Sequence, residues 1–308
     1  MGEKNKTAKG ILLALSGGVL WGFSGTCGQY LFDYKDMNPE WLTSVRLLFS
    51  GIIMIILILI TQRKNMIGLL SDKYDRIVLV IFGIVGLLTC QYTYFVTISN
   101  SNAATGTVLQ YLGPAMIMIF MCFRSKRMPN IKELIAVIFA MTGTFLLATH
   151  GSINELAISP KALTFGILSA LSLAAYSIIP GRIIERWGSL TVTGMGMFIA
   201  GVVFTLIMRT WTIQQSLDFR AVFVVMLIII FGTVIPFTTY LKSVSYIGAA
   251  KASMISCMEP LSATIISAIW LKNKFMPIDL LGFALIIITV LMLSFKGIKG
   301  KTVKVDGE

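Results

Sequence analysis

Charged residues are scarce in this sequence. They make up 13% of its 308 residues, against about 25% in soluble domains. A soluble chain of this length needs polar residues to cover the surface of one or two domains, whereas 56% of these residues are hydrophobic. With a mean hydropathy of +0.83, most of the chain requires lipid rather than water as its solvent.

Cysteine and histidine are also rare. The four cysteines each lie within an apolar run and form no close pair, so neither a disulfide framework nor a zinc site is predicted. The single histidine, His150, belongs to no cluster of the ligands that a metal ion needs. The chain also lacks the glycine-rich phosphate-binding loop of nucleotide-driven pumps. No cofactor and no metal are therefore expected.

The charge that is present is mostly basic, with a formal net charge of +12. The lysines and arginines stand in short clusters between apolar runs, which is typical of loops at a membrane surface rather than of a nucleic-acid-binding face. If the N-terminus is cytoplasmic, 19 basic residues fall in inner segments and 6 in outer segments. Because positive residues accumulate on the cytoplasmic side, the sequence predicts a multi-pass cell-membrane protein with both termini in the cytoplasm.

Apolar runs of about 20 residues, the length needed to cross the hydrocarbon core, recur along the chain. The longest, an uncharged stretch over 77–123, is divided into two helices by Ser99-Asn100-Ser101-Asn102. The sequence thus predicts an all-α membrane protein of ten transmembrane helices, near 10–32, 40–62, 77–98, 102–123, 132–150, 162–182, 189–209, 220–243, 249–271 and 277–296.

The two halves of the chain repeat each other. At a spacing of 146 residues the sequence pairs Thr93-Tyr94 with Thr239-Tyr240, Ser99 with Ser245, Ala103-Ala104 with Ala249-Ala250, and Pro114 with Pro260. Phe82-Gly83 also matches Phe231-Gly232 at 149, and Met128-Pro129 matches Met276-Pro277 at 148. Because each half holds five helices, an odd number, the second repeat is inverted in the membrane, as in many secondary transporters. The predicted units are a first repeat over 8–150, a second over 160–297 and a cytoplasmic tail over 298–308.

Four places carry a resemblance to a known family: Trp21-Gly22, Arg46, Leu112-Gly113-Pro114 and Glu259-Pro260-Leu261. With the duplication, they resemble the EamA family of the drug/metabolite transporter superfamily over nearly the whole chain. The resemblance implies a ten-helix antiparallel bundle with a central cavity, alternating access, and export of amino acids or other small metabolites. Where such proteins often carry Gly-Glu just beyond helices four and nine, this chain has Arg124-Ser125 and Lys272-Asn273. Any role of the Gly-Glu pair in closing the outer or inner face is therefore not expected for this chain.

Two other functions are open at this stage. A channel or facilitator for small solutes would share the composition, although the inverted repeat favours a carrier. An intramembrane serine protease is the remote alternative, because Gly22-Phe23-Ser24-Gly25 matches the Gly-x-Ser-Gly signature of rhomboid proteases. Its serine needs a histidine within hydrogen-bond reach, and His150 is predicted at the outer end of helix five. We therefore expect no enzyme.

Polar side chains deep inside predicted helices are candidates for lining the cavity. Gln110 has four hydrogen-bonding sites, so in hydrocarbon it must face either a polar cavity or a partner on another helix. Tyrosines away from the membrane interfaces suit stacking on, or hydrogen bonding to, a small substrate. The candidate substrate-binding residues of this kind are Tyr94, Gln110, Tyr111, Tyr176, Tyr240 and Ser256.

Arg46 and Glu259 are the remaining candidates, for substrate binding or coupling. Arg46 lies about 10 Å inside helix two and has three open roles: snorkelling outward, pairing with a buried acid, or holding a substrate carboxylate. Glu259 lies near the bilayer midplane, and three roles are open to it as well. It can be a proton carrier, a counter-charge for Arg46 or for a cationic substrate, or a structural acid. Pro260 after it removes an N–H and leaves the carbonyl of Ser256 open to other donors.

Besides the lipid bilayer and a small-molecule substrate, protons and a second copy of the chain are candidate partners, and no nucleic acid is expected.

Overall fold

The computed structural model describes residues 3–152, 157–248, 252, 255–256 and 258–296, the side chains of 3–5 and 293–296 excepted. Within these ranges the secondary structure is entirely helical. The long helices, numbered in chain order, are α1 (Glu3–Lys35), α2 (Pro39–Thr61), α3 (Lys73–Ser99), α4 (Ala103–Arg124), α5 (Ile131–Thr149), α6 (Pro160–Ile178), α7 (Ser189–Met208), α8 (Phe219–Ile247), α9 (Met258–Trp270) and α10 (Pro277–Lys296).

Among the described residues, eight of these helices, α1 to α8, are long and apolar enough to cross a membrane. The apolar stretch of α10 is shorter, and most of the predicted beginning of the ninth helix, 249–257, falls outside the described residues. The predicted fold class, an all-α membrane protein of ten helices in two inverted repeats, is confirmed. The turn after α3 also lies as predicted, and the Asn102 side chain there accepts a hydrogen bond from the amide of Thr105, 2.8 Å away.

The packing of the helices follows a twofold pattern. α2 packs along α7 and α5 along α10, while α1 packs against α8 and α9 just as α6 packs against α3 and α4. Exchanging the first repeat for the second leaves this list of pairs unchanged, which is what an inverted repeat requires.

Two glycines 150 residues apart show the same symmetry in detail. A Cβ on Gly51 of α2 would stand 2.5 Å from the main-chain nitrogen of Phe198, and one on Gly201 of α7 would stand 2.5 Å from that of Leu48. Phe198 and Leu48 are themselves 150 apart. The α2–α7 pair therefore meets backbone to backbone at both points, as small residues allow in membrane proteins.

Glycines also allow α1 to pack closely against its neighbours in the bundle. A Cβ on Gly18 would lie 2.8 Å from the carbonyl oxygen of Ser256, and one on Gly22 would overlap Ser262. Further along α1, Gly28 leaves room for the ring of Phe95 on α3. α1 thus contacts helices of both repeats at distances that a larger side chain would prevent.

Among the described residues, each repeat contains one π-helical stretch, Phe82–Leu88 in α3 and Ile230–Val234 in α8. They fall at the matched Phe82-Gly83 and Phe231-Gly232. A π-turn interrupts the regular i to i−4 hydrogen bonds and occurs often at functional sites. The sequence pattern predicts continuous helices here, and nothing local in the sequence marks the widened turns.

Two short helices that the sequence analysis did not predict, Arg63–Ser71 and Gly181–Trp187, meet at one end of the bundle. Nη1 of Arg186 lies 2.7 Å from Asp72 and 2.8 Å from Asp75. Hydrogen bonds from the Asp75 amide and from Arg186 lower the pKa of Asp72. The cluster joins the segment between α2 and α3 to the segment between α6 and α7.

Candidate functional site

A cavity of about 580 Å³ lies between the two repeats. It draws its lining from both halves of the chain, from α1 to α10. All eight candidate residues of the sequence analysis line it: Arg46, Tyr94, Gln110, Tyr111, Tyr176, Tyr240, Ser256 and Glu259. The eight residues come from different parts of the sequence, and the fold brings them to one cavity. Its volume suits a small molecule.

Arg46 turns into the bundle and is 4% exposed. Its Nε donates to Oγ1 of Thr233 at 3.0 Å, and its Nη2 donates to the carbonyl of Gly232 at 3.3 Å. The ring of Phe95 lies beneath the guanidinium, with its centroid 5.0 Å from Cζ. Nη1 is buried and has no hydrogen-bond partner among the described residues. Of the three roles open to Arg46, snorkelling outward does not fit this inward position.

Glu259 lines the cavity from α9 and receives a hydrogen bond from α4. The hydroxyl of Tyr111 lies 3.1 Å from Oε2 of Glu259 and 3.2 Å from the main-chain carbonyl of Ser256. That carbonyl lacks its helical donor because residue 260 is proline, as the sequence predicted. No described cation lies within ion-pair distance of the Glu259 carboxylate, so Arg46 and Glu259 face one cavity without pairing directly.

Gln110 and Tyr94 each face the cavity and also have a hydrogen-bond partner on another helix. Nε2 of Gln110 donates to Oγ of Ser169 at 2.8 Å and lies 3.3 Å from Sγ of Cys90, and the side chain also lines the cavity. The hydroxyl of Tyr94 shares a hydrogen bond of 2.9 Å with Oγ1 of Thr107. Both side chains therefore tie helices together and present polar atoms beside the cavity.

Aromatic rings form much of the remaining wall. The Trp21 ring on α1 packs 5.3 Å from that of Phe237 and 5.5 Å from that of Tyr240, between ring centroids. The Tyr176 ring on α6 packs 5.4 Å from that of Phe82, at the π-helical stretch of α3. The walls are therefore mostly apolar, with a few polar groups directed at the space, which is the usual composition of a small-molecule site.

The cavity extends toward one end of the bundle. Its lining includes Ile184, Ser189 and Leu241. Ile184 lies in the short helix Gly181–Trp187, Ser189 begins α7, and Leu241 lies in the last two turns of α8. Ser177, an exposed residue near the end of α6, lines it as well. This is the end that the distribution of basic residues predicts to be cytoplasmic.

The opposite end is joined by an amide pair that sequence reasoning missed. Nε2 of Gln29 on α1 donates to Oδ1 of Asn273 at 3.2 Å, and Nδ2 of Asn273 donates back to Oε1 of Gln29 at 3.0 Å. Gln29 is 2% exposed and also bonds the amide of Ala103 and the carboxylate of Asp33, each at 3.0 Å. A glutamine inside an apolar run was the available signal, as it was for Gln110.

Ser24 and His150 lie in different surroundings. Ser24 packs against Gly232, where an added Cβ would overlap its hydroxyl, and that hydroxyl has no hydrogen-bond partner among the described residues. His150 ends α5, and its Nε2 lies 3.0 Å from Asp279 at the start of α10. The serine–histidine contact that a protease needs is therefore not formed.

Among the described residues, the lining offers the guanidinium of Arg46, the carboxyl groups of Glu133 and Glu259, and several hydroxyl and amide groups in an aromatic-lined space. Within the described ranges, no group of three or more His, Cys, Asp or Glu side chains is placed to hold a metal ion. The groups in this lining can bind a polar or charged small molecule through hydrogen bonds and charge.

Comparison with known proteins agrees with this geometry. The model of the EamA-like transporter family matches residues 8–149 and 160–295. A protein named uncharacterized inner membrane transporter YicL, from Salmonella typhimurium, is 38% identical over 288 residues, which cover 94% of this chain and 96% of that protein. The uncharacterized transporter YwfM of Bacillus subtilis is 23% identical over 293 residues, 94% of this chain and 95% of that protein.

The fold is also found among solved structures. One crystal structure, of a protein 16% identical in sequence, superposes with a TM-score of 0.64 over 93% of this chain and 98% of that one. At this identity the likeness concerns the fold alone. From the family match along the chain, and from the relative 38% identical to it, it follows that this chain belongs to the EamA-like transporter family and is a membrane transporter of the drug/metabolite class.

Proposed function

We propose that this protein is a secondary transporter that exports small organic metabolites, amino acids or related compounds, by alternating access. The observation that carries the proposal is the cavity of about 580 Å³ that both Arg46 and Glu259 line without pairing. A volume of this size is typical of small-molecule sites, and aromatic walls with few polar groups accept a range of metabolites.

The two charged groups suit a substrate that carries both signs. The buried Nη1 of Arg46 has no partner among the described residues, and a carboxylate is the ligand that a guanidinium binds best. Glu259, on the other repeat, suits an ammonium group or a proton. A zwitterion would neutralise both side chains at once, and this complementarity supports an amino acid or a related compound.

Alternating access is supported by the difference between the two ends of the bundle. The cavity reaches Ser189 and Leu241 at one end, whereas Gln29 and Asn273 join α1 to the segment after α9 at the other. With both termini cytoplasmic, the cavity opens inward and the amide pair closes the outer face. Rocking of the two repeats about the cavity then breaks that pair and releases the substrate outside.

The orientation is tested separately by labelling. A cysteine introduced by Ser152→Cys, between α5 and α6, should react with an impermeant maleimide added to intact cells. The same chain with its own cysteines replaced and Ser152 retained is the control. Protection of the introduced cysteine until the cells are lysed would reverse the orientation and the direction of the cavity.

The transport function is tested with purified full-length protein in liposomes. A panel of radiolabelled amino acids and related metabolites is offered with and without a proton gradient. We expect saturable uptake of at least one compound, acceleration by the gradient, and counterflow against an excess of the unlabelled compound. Flux that neither saturates nor shows counterflow would identify a channel or facilitator, and the carrier proposal would be wrong.

Glu259→Gln is the matched variant for coupling. It keeps the shape of the side chain and removes its ionisation, so we expect exchange of substrate to continue while acceleration by the proton gradient is lost. Transport by Glu259→Gln equal to that of the unaltered protein at every pH tested would leave Glu259 a structural role only.

A further inference from the structure

The hydroxyl group of Tyr111 lies within hydrogen-bond distance of two acceptors, the carboxylate of Glu259 and the carbonyl of Ser256, but it has one proton to donate. Its oxygen is 3.1 Å from Oε2 of Glu259 and 3.2 Å from the main-chain carbonyl of Ser256. A tyrosine hydroxyl donates one hydrogen bond and can accept others. If Glu259 is ionised, both neighbours are acceptors, and only one of them can receive the proton of Tyr111.

The carbonyl of Ser256 depends on this tyrosine. In a regular helix it would accept from the amide of residue 260, but residue 260 is proline and has no N–H. Ser256 is 6% exposed, and its carbonyl oxygen lies against Gly18 of α1. A buried carbonyl without a donor is destabilising, so the carbonyl of Ser256 competes with Glu259 for the hydrogen bond of Tyr111.

Protonation of Glu259 removes the conflict. A protonated carboxyl group donates one hydrogen bond, so it can donate to the oxygen of Tyr111 while Tyr111 donates to Ser256. All three groups then form one chain of hydrogen bonds. When the proton leaves to the aqueous side, Tyr111 turns to the carboxylate and the carbonyl of Ser256 loses its donor.

We propose that Tyr111 is a positioning residue whose hydrogen-bond partner changes with the protonation state of Glu259. Through this change, protonation of Glu259 alters the hydrogen bonding of the α9 backbone and the position of Tyr111 on α4. Tyr111 is well placed for this, because α4 is interrupted at residues 111–112, between Gln110 and Gly113. The hydroxyl of Tyr111 therefore changes partners at a point where α4 is interrupted and where α9 lacks a backbone hydrogen bond because of Pro260. The inference rests on the proposed proton-coupled function, since it assigns how that proton is sensed.

Other ionisable side chains face the same space. They are Arg46 on α2, Cys90 and Tyr94 on α3, Glu133 on α5, Tyr176 on α6 and Tyr240 on α8. The hydrogen bonds of Arg46 and Tyr94 go to Thr233, Gly232 and Thr107 rather than to the Glu259 carboxylate. The exchange of partners is therefore assigned to Tyr111. Tyr176→Phe removes another hydroxyl from the cavity lining and is a suitable control.

Infrared difference spectroscopy of the full-length protein in lipid, between acid and alkaline pH, tests the inference without a substrate. We expect a protonated-carboxyl band that is absent from Glu259→Gln. In Tyr111→Phe that band should move to higher wavenumber, because the acid has lost its acceptor, whereas Tyr176→Phe should leave it in place. An unshifted band in Tyr111→Phe, or no band that depends on Glu259, would overturn the inference.

Pro260→Ala separates the proton-sensing role from a merely structural one, because alanine at 260 supplies an amide to Ser256. Tyr111→Phe should lower the thermal midpoint of the protein, and this loss should shrink in the Pro260→Ala background, while the band shift persists. If Pro260→Ala also returns the band to its original position, Tyr111 acts only by supporting Ser256 and the inference fails. A shifted band in a protein that transports nothing would instead count against the proposed function alone.

Discussion

Arg46 on α2 donates a hydrogen bond to the main-chain carbonyl of Gly232 on α8, inside the π-helical stretch Ile230–Val234. In a regular α-helix this carbonyl would accept from the amide of residue 236, which is proline and has no N–H. In the other repeat the matched residues are glycines, Gly196 on α7 and Gly83 in the π-helical stretch of α3, and a Cβ on Gly83 would lie 3.1 Å from the carbonyl oxygen of Gly196. The same crossing therefore holds a charged group in one repeat and only backbone in the other.

Replacing Arg46 tests whether that asymmetry serves binding. Arg46→Lys keeps the charge, but an ammonium cannot reproduce the contacts with Thr233 and Gly232 and still present a planar donor. Hydrogen bonds to charged groups contribute about 1.5–3 kcal/mol, so we expect KM for uptake in liposomes to rise about tenfold or more. The exposed Arg220 gives the control variant Arg220→Lys. Unchanged uptake by Arg46→Lys, with folding intact, would contradict a binding role.

The Gln29–Asn273 pair should control access from the end of the bundle at which it lies. Asn273→Leu removes both mutual hydrogen bonds and leaves those of Gln29 to Ala103 and Asp33 in place. At about 1 kcal/mol for each lost bond, it should shift the equilibrium toward opening at that end by about 30-fold. The readout is the rate at which an impermeant maleimide, added outside, labels Cys90 of the cavity in a chain without other cysteines.

Gln215→Leu is the control for that experiment. Oε1 of Gln215 accepts the amide of Asn38 at 3.0 Å, at the same end of the bundle but away from the cavity lining. Labelling of Cys90 should be unaffected by this substitution. Equal labelling in Asn273→Leu and Gln215→Leu would mean that the amide pair does not close the cavity.

Gly201 should tolerate no side chain. A Cβ there would lie 2.5 Å from the main-chain nitrogen of Leu48 and 2.6 Å from its Cα, and backbone atoms have little freedom to move aside. Gly201→Ala should therefore lower the free energy of unfolding by about 1–3 kcal/mol, measured as a fall in thermal midpoint in detergent. At Gly181 an added Cβ would meet nothing within 4 Å, so Gly181→Ala should leave the midpoint close to that of the unaltered protein.

Asp72 should make stability depend on pH. Its pKa in the folded protein is lowered by the amide of Asp75 and by Arg186, so its charged form stabilises the fold above the ordinary value of 3.8. That contribution is lost as the pH falls through the lowered pKa. Asp72→Asn keeps a capping side chain and removes the charge. We expect its thermal midpoint to be below that of the unaltered protein at pH 7.

The two proteins should converge as the pH is lowered past that range, because the unaltered protein then loses the charge of Asp72 as well. Asp36→Asn, at an exposed aspartate near the opposite end of the bundle, controls for a general effect of lost negative charge. A difference between Asp72→Asn and the unaltered protein that is the same at all pH values would contradict the assignment to the charge of Asp72.

Much of the architecture follows from the sequence because the signals for it are local. A run of about 20 apolar residues must be helical in lipid, since every backbone N–H and C=O needs a partner within the segment. The ten helices, their order and the duplication were therefore predictable, with helix ends such as Pro39, Ser99 and Pro277 within a few residues of the predicted spans. The rarity of polar groups in those runs also made Arg46, Gln110 and Glu259 visible as candidates.

The partners of these residues depended on the tertiary structure. In an apolar run all faces of a helix look alike, so nothing in the sequence of α1 tells which face Gln29 occupies or that Asn273 meets it. The tertiary structure also decided three features: the π-helical stretches, the turn of Arg46 toward Thr233, and the position of Tyr111 between Glu259 and Ser256. The sequence by itself determined which groups had to be buried in lipid, because lipid does not solvate them. Their pairing was decided only by the packing of helices whose surfaces carry no directional pattern.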